Sequence, residues 1–301
     1  MNGKLNEAVE KLLASYAANQ NHIDNLDRQP LPSSAAMMRA VETLQELLFP
    51  GFFGTQGLTG DSLRLRVIEQ MEWLEINLTG QIECALAHGD DNAKTATDIV
   101  AEFLLTLPRI RRVLASDVQA AYDGDPIAAS KDEVIASYPS VFAVTIYRLA
   151  HELYKLKVPL LPRMMSEHAH RLTGIDIHPA TRIGAGFFID HGTGVVIGGT
   201  AVIGNRVKIY QGVTLGAFSF PKDKDGNLIR DAKRHPTIED DVVIYAGATI
   251  LGGDTVIGKG SAIGGNVWLT KSVPSFSKVS QEQPSLKIIT PEMQQNWDYV
   301  I

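Results

Sequence analysis

The 301-residue chain is 45% hydrophobic and 21% charged, the balance of a folded globular protein and not of a disordered, collagenous or disulfide-stapled one. Its formal net charge of −6 offers no basic field for nucleic acid, and its one cysteine, Cys84, cannot form an intramolecular disulfide, which fits a reducing compartment. No apolar run reaches the ~18 residues of a membrane span, and Glu7 and Glu10 stand where a signal peptide needs an apolar core, so a cytoplasmic chain without membrane contact is expected.

Residues 1–172 read as an α-helical domain. Val67, Met71, Leu74, Leu78 and Ile82 recur in steps of four, three, four and four. Phe142, Ile146, Leu149, Leu153 and Leu156 do the same in steps of four, three, four and three. Each set draws one apolar stripe on a helix. Turn-rich breaks separate the helices at Pro50-Gly51, Gly89-Asp90-Asp91 and Asp123-Gly124-Asp125-Pro126. A further short helix is expected over residues 163–172, stopped by Gly174.

Beyond Gly174 the period becomes six. Ile177, Ile183, Ile189, Val195, Ala201, Val207 and Val213 follow it, and then Ile238, Ile244, Ile250, Val256, Ala262 and Trp268. A second column runs Ile197, Ile203, Ile209, Leu215, and is taken up again by Leu251, Ile257, Ile263, Leu269. Six is neither a helical nor a hairpin period; it is the signature of a hexapeptide β-helix, three hexads to a triangular coil. Residues 173–275 are therefore expected to form about four stacked coils. The phase between the columns changes near residues 189–197, which implies a two-residue shift there. Residues 217–235 break the period, carry a Lys224-Asp225-Gly226-Asn227 turn signal, and read as a loop thrown out of one coil.

Three histidines lie in or beside the repeat: His178, His191 and His235. His191 sits among aliphatic and glycine hexads. It is either a polar residue at an exposed corner or a general base in a cleft, since histidine alone titrates near neutrality. Asp176 could orient such an imidazole, because in an 18-residue coil the two would be roughly stacked. Arg234, at the end of the loop, carries a planar fork suited to a carboxylate, or is an ordinary surface arginine. A zinc site of the three-histidine β-helix kind would need two histidines close in sequence, whereas His178, His191 and His235 are far apart. No metal is expected.

Asp176-Ile177-His178-Pro179, Ile189-Asp190-His191-Gly192-Thr193-Gly194, Gln211-Gly212-Val213-Thr214-Leu215-Gly216 and Arg234-His235-Pro236 together resemble, in order and spacing, the serine O-acetyltransferases. Asp123-Gly124-Asp125-Pro126 is similar to that family's R-D-P element, with glycine replacing arginine. Phe142-Ala143 and Tyr147-Arg148-Leu149-Ala150-His151 look like its helix before the repeat. The resemblance spans residues 115–275. It implies an α + β fold, an α-helical N-terminal domain followed by a left-handed parallel β-helix, assembled as a trimer with active sites between subunits; the helical half usually joins two trimers. It implies acetyl transfer from acetyl-CoA to the L-serine hydroxyl, the first step of cysteine biosynthesis. His191 would be the general base and Asp176 its partner. Asp125, Asp190, Arg234 and His235 match serine-holding positions. Ala217, Ala246 and Gly265 match positions along the CoA groove. L-cysteine would inhibit at the serine site.

Two departures stand out. The loop after Gly216 is longer than in common bacterial members and carries Phe218, Phe220, Lys222 and Lys224; Gln283-Pro284-Ser285 replaces a G-x-P-A element. Residues 276–301 read as a tail ending Asn296-Trp297-Asp298-Tyr299-Val300-Ile301. Such an ending is similar to the tails that insert into O-acetylserine sulfhydrylase, with Ile301 as the anchor. The competing readings are a hexapeptide acetyltransferase for homoserine or a sugar, and a non-catalytic β-helix scaffold.

Overall fold

The structure, a computed structural model, describes residues 3–18, 23–26, 28–89, 92–219, 222–229 and 232–282. Asp90, Asp91, Phe220, the Gln283-Pro284-Ser285 element and the Ile301 ending lie outside the described residues. Seven helices are described: α1 (Gly3–Ala18), α2 (Ser34–Leu48), α3 (Gly60–Leu86), α4 (Ala96–Gly124), α5 (Lys131–Ser137), α6 (Pro139–Lys155) and α7 (Leu161–Thr173). Ser33, Thr95 and Ser130 cap α2, α4 and α5, each side-chain oxygen accepting a backbone N–H three residues on. Leu74, Leu78 and Ile82 of α3 and Ile146, Leu149 and Leu153 of α6 are buried as their spacing requires, while Val67 is exposed and Met71 partly buried. Gly174 ends α7 in the left-handed conformation, φ 70°.

Fourteen short strands follow: β1 (Asp176–Ile177), β2 (Arg182–Ile183), β3 (Phe188–Ile189), β4 (Val196–Ile197), β5 (Val202–Ile203), β6 (Lys208–Ile209), β7 (Thr214–Gly216), β8 (Thr237–Ile238), β9 (Val243–Ile244), β10 (Thr249–Leu251), β11 (Val256–Ile257), β12 (Ala262–Ile263), β13 (Trp268–Leu269) and β14 (Lys278–Val279). They stack as three parallel sheets, β1-β4-β7-β10-β13, β2-β5-β8-β11 and β3-β6-β9-β12-β14. The inward ladder is Ile177, Ile183, Ile189, then Ile197, Ile203, Ile209, Leu215, then Ile238, Ile244, Ile250, then Ile257, Ile263, Leu269. The first sequence column therefore crosses ladders. Val195, Ala201, Val207 and Val213 are buried just ahead of the strands, whereas Ala262 stands outward of Ile263 and Trp268 is 66% exposed. The phase shifts by two residues between Ile189 and Ile197 and by one between Ile250 and Ile257. The prism also runs past residue 275, because Lys278 and Val279 register with Ala262 and Ile263.

The helical half is stapled to the first coil through α6. Arg148 donates to both carboxylate oxygens of Asp117, at 2.6 and 2.8 Å, and to the carbonyl of Gly184 at 2.8 Å. Asp117 also accepts the Phe187 N–H at 2.9 Å. Tyr147 donates to the Thr181 carbonyl at 2.7 Å.

Candidate active site

The charged residues singled out by sequence fall on two corners of the prism. The corner between the third and first sheets carries Asp190 and His191, and the end of α4 brings Asp125 to it. Backbone bonds run from Gly194 N–H to the Gly174 carbonyl and from Gly212 N–H to the Thr193 carbonyl. His191 and Gly192 are therefore the two inserted residues. Both have positive φ, 57° and 103°, and the insertion lifts the His191 ring out of the wall, leaving its side chain 73% exposed. A left-handed conformation at a residue with a Cβ is a local cost that tends to gather at functional positions.

Two carboxylates share this corner with the ring. Asp190 Oδ1 lies 3.8 Å from His191 Nε2, and Asp190 Oδ2 lies 2.9 Å from Lys208 Nζ. Asp125 accepts the Tyr138 hydroxyl at 2.5 Å and the Ile127 N–H at 3.0 Å. The Tyr138 bond holds the Asp125 carboxyl below its ordinary range, with Lys208 and His191 adding to the effect; the same bond pushes Tyr138 up to about 12.

The corner between the first and second sheets forms a cleft of about 660 Å³ lined by Asp176, His178, Thr200, Lys233, Arg234 and His235 among others. The end of the long loop is tied down here. Thr200 Oγ1 accepts the N–H groups of Arg234 and His235 at 3.0 and 3.1 Å. Thr200 N–H donates to His235 Nδ1 at 3.1 Å, which leaves Nε2 as the protonated nitrogen of the neutral ring. Burial, then Arg234 and Lys233, push His235 down to about 4. Burial and Arg163 also lower His178, against the pull of Asp176.

Within one chain, then, Asp176 faces His178, and the carboxylate beside His191 is Asp190. Asp176 registers with Val196, whereas His191 stands on the corner ahead of that strand. Ala246 and Gly265 stand one above the other on the His191 corner, with Asn266 N–H bonded to the Ala246 carbonyl. Ala217 stands on the opposite corner, after β7. Lys208, Tyr138 and Thr200 escaped the sequence reading. Lys208 carried the one usable signal, a charge at an outward strand position. The extruded loop contains the turn its sequence announces: Asp223 Oδ1 accepts the N–H groups of Asp225 and Asn227, and Lys222 bridges to Leu228.

Among the described residues one trio has metal-ligand character: Glu167, His170 and Asp176. None of the three repeat histidines belongs to it. A larger cleft, about 920 Å³, lies in the helical domain and is lined by Phe52, Val67, Met71 and Leu104 among others; it holds none of the site residues. No described helix is long and apolar enough to cross a membrane.

No protein-family model matches the chain. The plasmid serine acetyltransferase of Synechococcus elongatus is 50% identical over 265 residues, 84% of this chain and 83% of its own. The serine acetyltransferase of Bacillus subtilis is 48% identical over 168 residues, 56% of this chain and 73% of its own. Among solved structures, Entamoeba histolytica serine acetyltransferase isoform 3, in complex with cysteine, superposes with a TM-score of 0.73 at 36% identity, covering 97% of both chains. The Neisseria gonorrhoeae enzyme in complex with serine matches at a TM-score of 0.54 and 26% identity, over 81% of this chain and 97% of that one. With a helical domain leading into a left-handed parallel β-helix and a relative of this identity spanning most of both chains, the protein belongs to the serine acetyltransferases.

Proposed function

We propose that acetyl-CoA donates its acetyl group to the L-serine hydroxyl at a site closed between two copies of the chain, the His191 corner of one meeting the Arg234 corner of the next. The observation carrying this reading is the division of the charged groups between two corners of one prism. His191, Asp190 and Asp125 share one; Asp176, Arg234 and His235 share the other. A ring of three copies brings unlike corners together at each contact.

In that site the Asp125 and Asp190 carboxylates hold the substrate ammonium, and Arg234 holds its carboxylate. His235, neutral at working pH, donates from Nε2. The His191 imidazole takes the serine hydroxyl proton as the oxygen attacks the thioester carbonyl. The tetrahedral intermediate collapses, the C–S bond breaks, and the imidazolium returns the proton to the departing CoA sulfur. Asp176 of the neighbouring copy orients the ring and stabilises its cation. CoA runs along the groove past Ala246 and Gly265, with Ala217 contributed from the other wall. No metal takes part in this scheme.

The cysteine and serine bound to the Entamoeba and Neisseria enzymes support L-serine as substrate and L-cysteine as an inhibitor of the same site. The chain assembles as a homotrimer or as a dimer of trimers. The Ile301 ending is assigned to O-acetylserine sulfhydrylase.

The test is thiol release from acetyl-CoA with L-serine, L-homoserine or a galactoside as acceptor. L-serine turnover falling ~10²–10⁴-fold in His191→Ala is the expected result. A wild-type chain with no turnover to lose, or one that prefers another acceptor, would overturn the assignment.

A further inference from the structure

We infer that Lys208 is a positioning residue: an internal cation that fixes the two substrate-facing carboxylates, one from each domain, in a single arrangement. The inference rests on the proposed roles of Asp125 and Asp190 and goes beyond them.

Lys208 lies on β6, one rung above Phe188 of β3, and its side chain is 17% exposed. Its ammonium is spoken for in several directions. It donates to the Gly124 carbonyl at 2.6 Å and meets Asp190 Oδ2 at 2.9 Å. It lies 4.4 Å from the centre of the Tyr210 ring and 5.0 Å from that of Phe188. Burial opposes the charge, but the bonds to Tyr210 and Asp190 outweigh it and hold Lys208 above its ordinary value.

Each contact has a consequence for the site. Gly124 is the last residue of α4 and Asp125 is its C-cap. A cation on a terminal carbonyl suits the negative end of the helix, so Lys208 fastens the backbone that presents Asp125. The approach is close enough that a Cβ at Gly124 would lie 2.9 Å from the Phe188 ring, so a side chain there would have to displace that ring. On the other side Lys208 takes Oδ2 of Asp190, which turns Oδ1 toward His191 Nε2. The same charge offsets the repulsion between two carboxylates that converge on one cation-binding point.

Three variants test this: Lys208→Met, Lys208→Gln and Lys208→Arg, with Asp190→Asn as the reference. In Lys208→Met and Lys208→Gln the calorimetric Kd and the KM for L-serine rise about tenfold, the loss of one charge-assisted bond, while the KM for acetyl-CoA stays at the wild-type value. The groups facing His191 are then Asp125 and Asp190 without their cation, the Tyr138 hydroxyl, and Asp176, Arg234 and His235 of the neighbouring copy. With the net field more negative, the acid limb of kcat/KM for L-serine moves to higher pH. Lys208→Arg restores most of the serine affinity. Wild-type serine affinity and an unmoved acid limb in both Met and Gln variants would overturn the inference, as would equal losses for both substrates. If Asp190→Asn weakens serine and the Lys208 variants do not, Lys208 alone is misassigned. If Asp190→Asn binds serine normally, the underlying assignment of Asp190 fails, and the route through Lys208 with it.

Discussion

A site shared between copies makes a counting prediction. His191→Ala removes the base from one corner, and Arg234→Ala removes the carboxylate clamp from the other. Each homogeneous variant is expected to be nearly inactive at low serine. Co-expressed at equal levels, the two chains assort at random into rings. A working site then needs an Arg234→Ala chain, whose His191 is intact, followed by a His191→Ala chain, whose Arg234 is intact. Each condition holds for half the chains, so about a quarter of all sites recover before selection, and about a third in mixed cyclic trimers, each of which has one such contact among its three. The assay is thiol release from acetyl-CoA by mixed assemblies isolated through two different affinity tags. The geometry behind it is the placement of the Arg234 cleft and the His191 corner on different edges of one prism. If both corners served one active site within a single chain, every chain in the mixture would carry a defect and nothing would recover; activity no higher than the sum of the two variants would refute the reasoning.

Three further expectations follow from individual contacts. Arg148→Met leaves Asp117 buried without its cation and should cost about 3–5 kcal/mol in denaturant unfolding, whereas adding Asp117→Asn should recover part of that loss. His235 is held down to about 4 by burial and by Arg234 and Lys233. The unfolded chain therefore takes up a proton that the folded one refuses; stability is full above pH ~6.5 and falls as pH drops toward 4, by at most ~3 kcal/mol. His235→Asn should flatten that fall in denaturation midpoints measured between pH 7.5 and 5, and an unchanged slope would contradict it. Deleting Ile301 should abolish co-purification with O-acetylserine sulfhydrylase and leave acetyl transfer intact; retained co-purification would reject the tail assignment.

Much of the fold was legible because its signals are local and repeated. A stripe such as Leu74, Leu78, Ile82 needs no partner to announce a helix, and a ladder of aliphatics six apart declares the prism before any contact is known. Legibility ended where two windings fit the same letters. Val256, Ala262 and Trp268 keep the period of Ile250 yet belong to the outward row, because a one-residue shift between Ile250 and Ile257 moves the inward position on. The pairing of Asp176 with His191 also failed within one chain. Strand pairing sets Asp176 against Val196, and even an eighteen-residue coil would set it against Gly194, so His191 falls on the corner before the stacking position in either winding. Arg148 stands out in the sequence only as part of a family-like helix; that it bonds Asp117 and the Gly184 carbonyl depends on two elements crossing, which no local pattern encodes.

The interruptions of the ladder and the proposed site largely coincide, and there is a physical reason. A regular hexad spends its inward position on the core and its corner on a tight turn, so it has no freedom to aim a side chain. Chemistry needs such freedom, and the chain obtains it by breaking the period. Two extra residues, both at positive φ, push His191 outward, and the loop of residues 217–235 returns Arg234 and His235 onto Thr200. A repeat protein therefore advertises the groups that its interruptions deliver. Lys208 marks the other side of the same rule. It occupies an ordinary outward hexad position, interrupts nothing, and acquires its role only from what α4 and Asp190 place around it. Supporting charges of this kind stay silent in the period and become visible only when the coils are stacked.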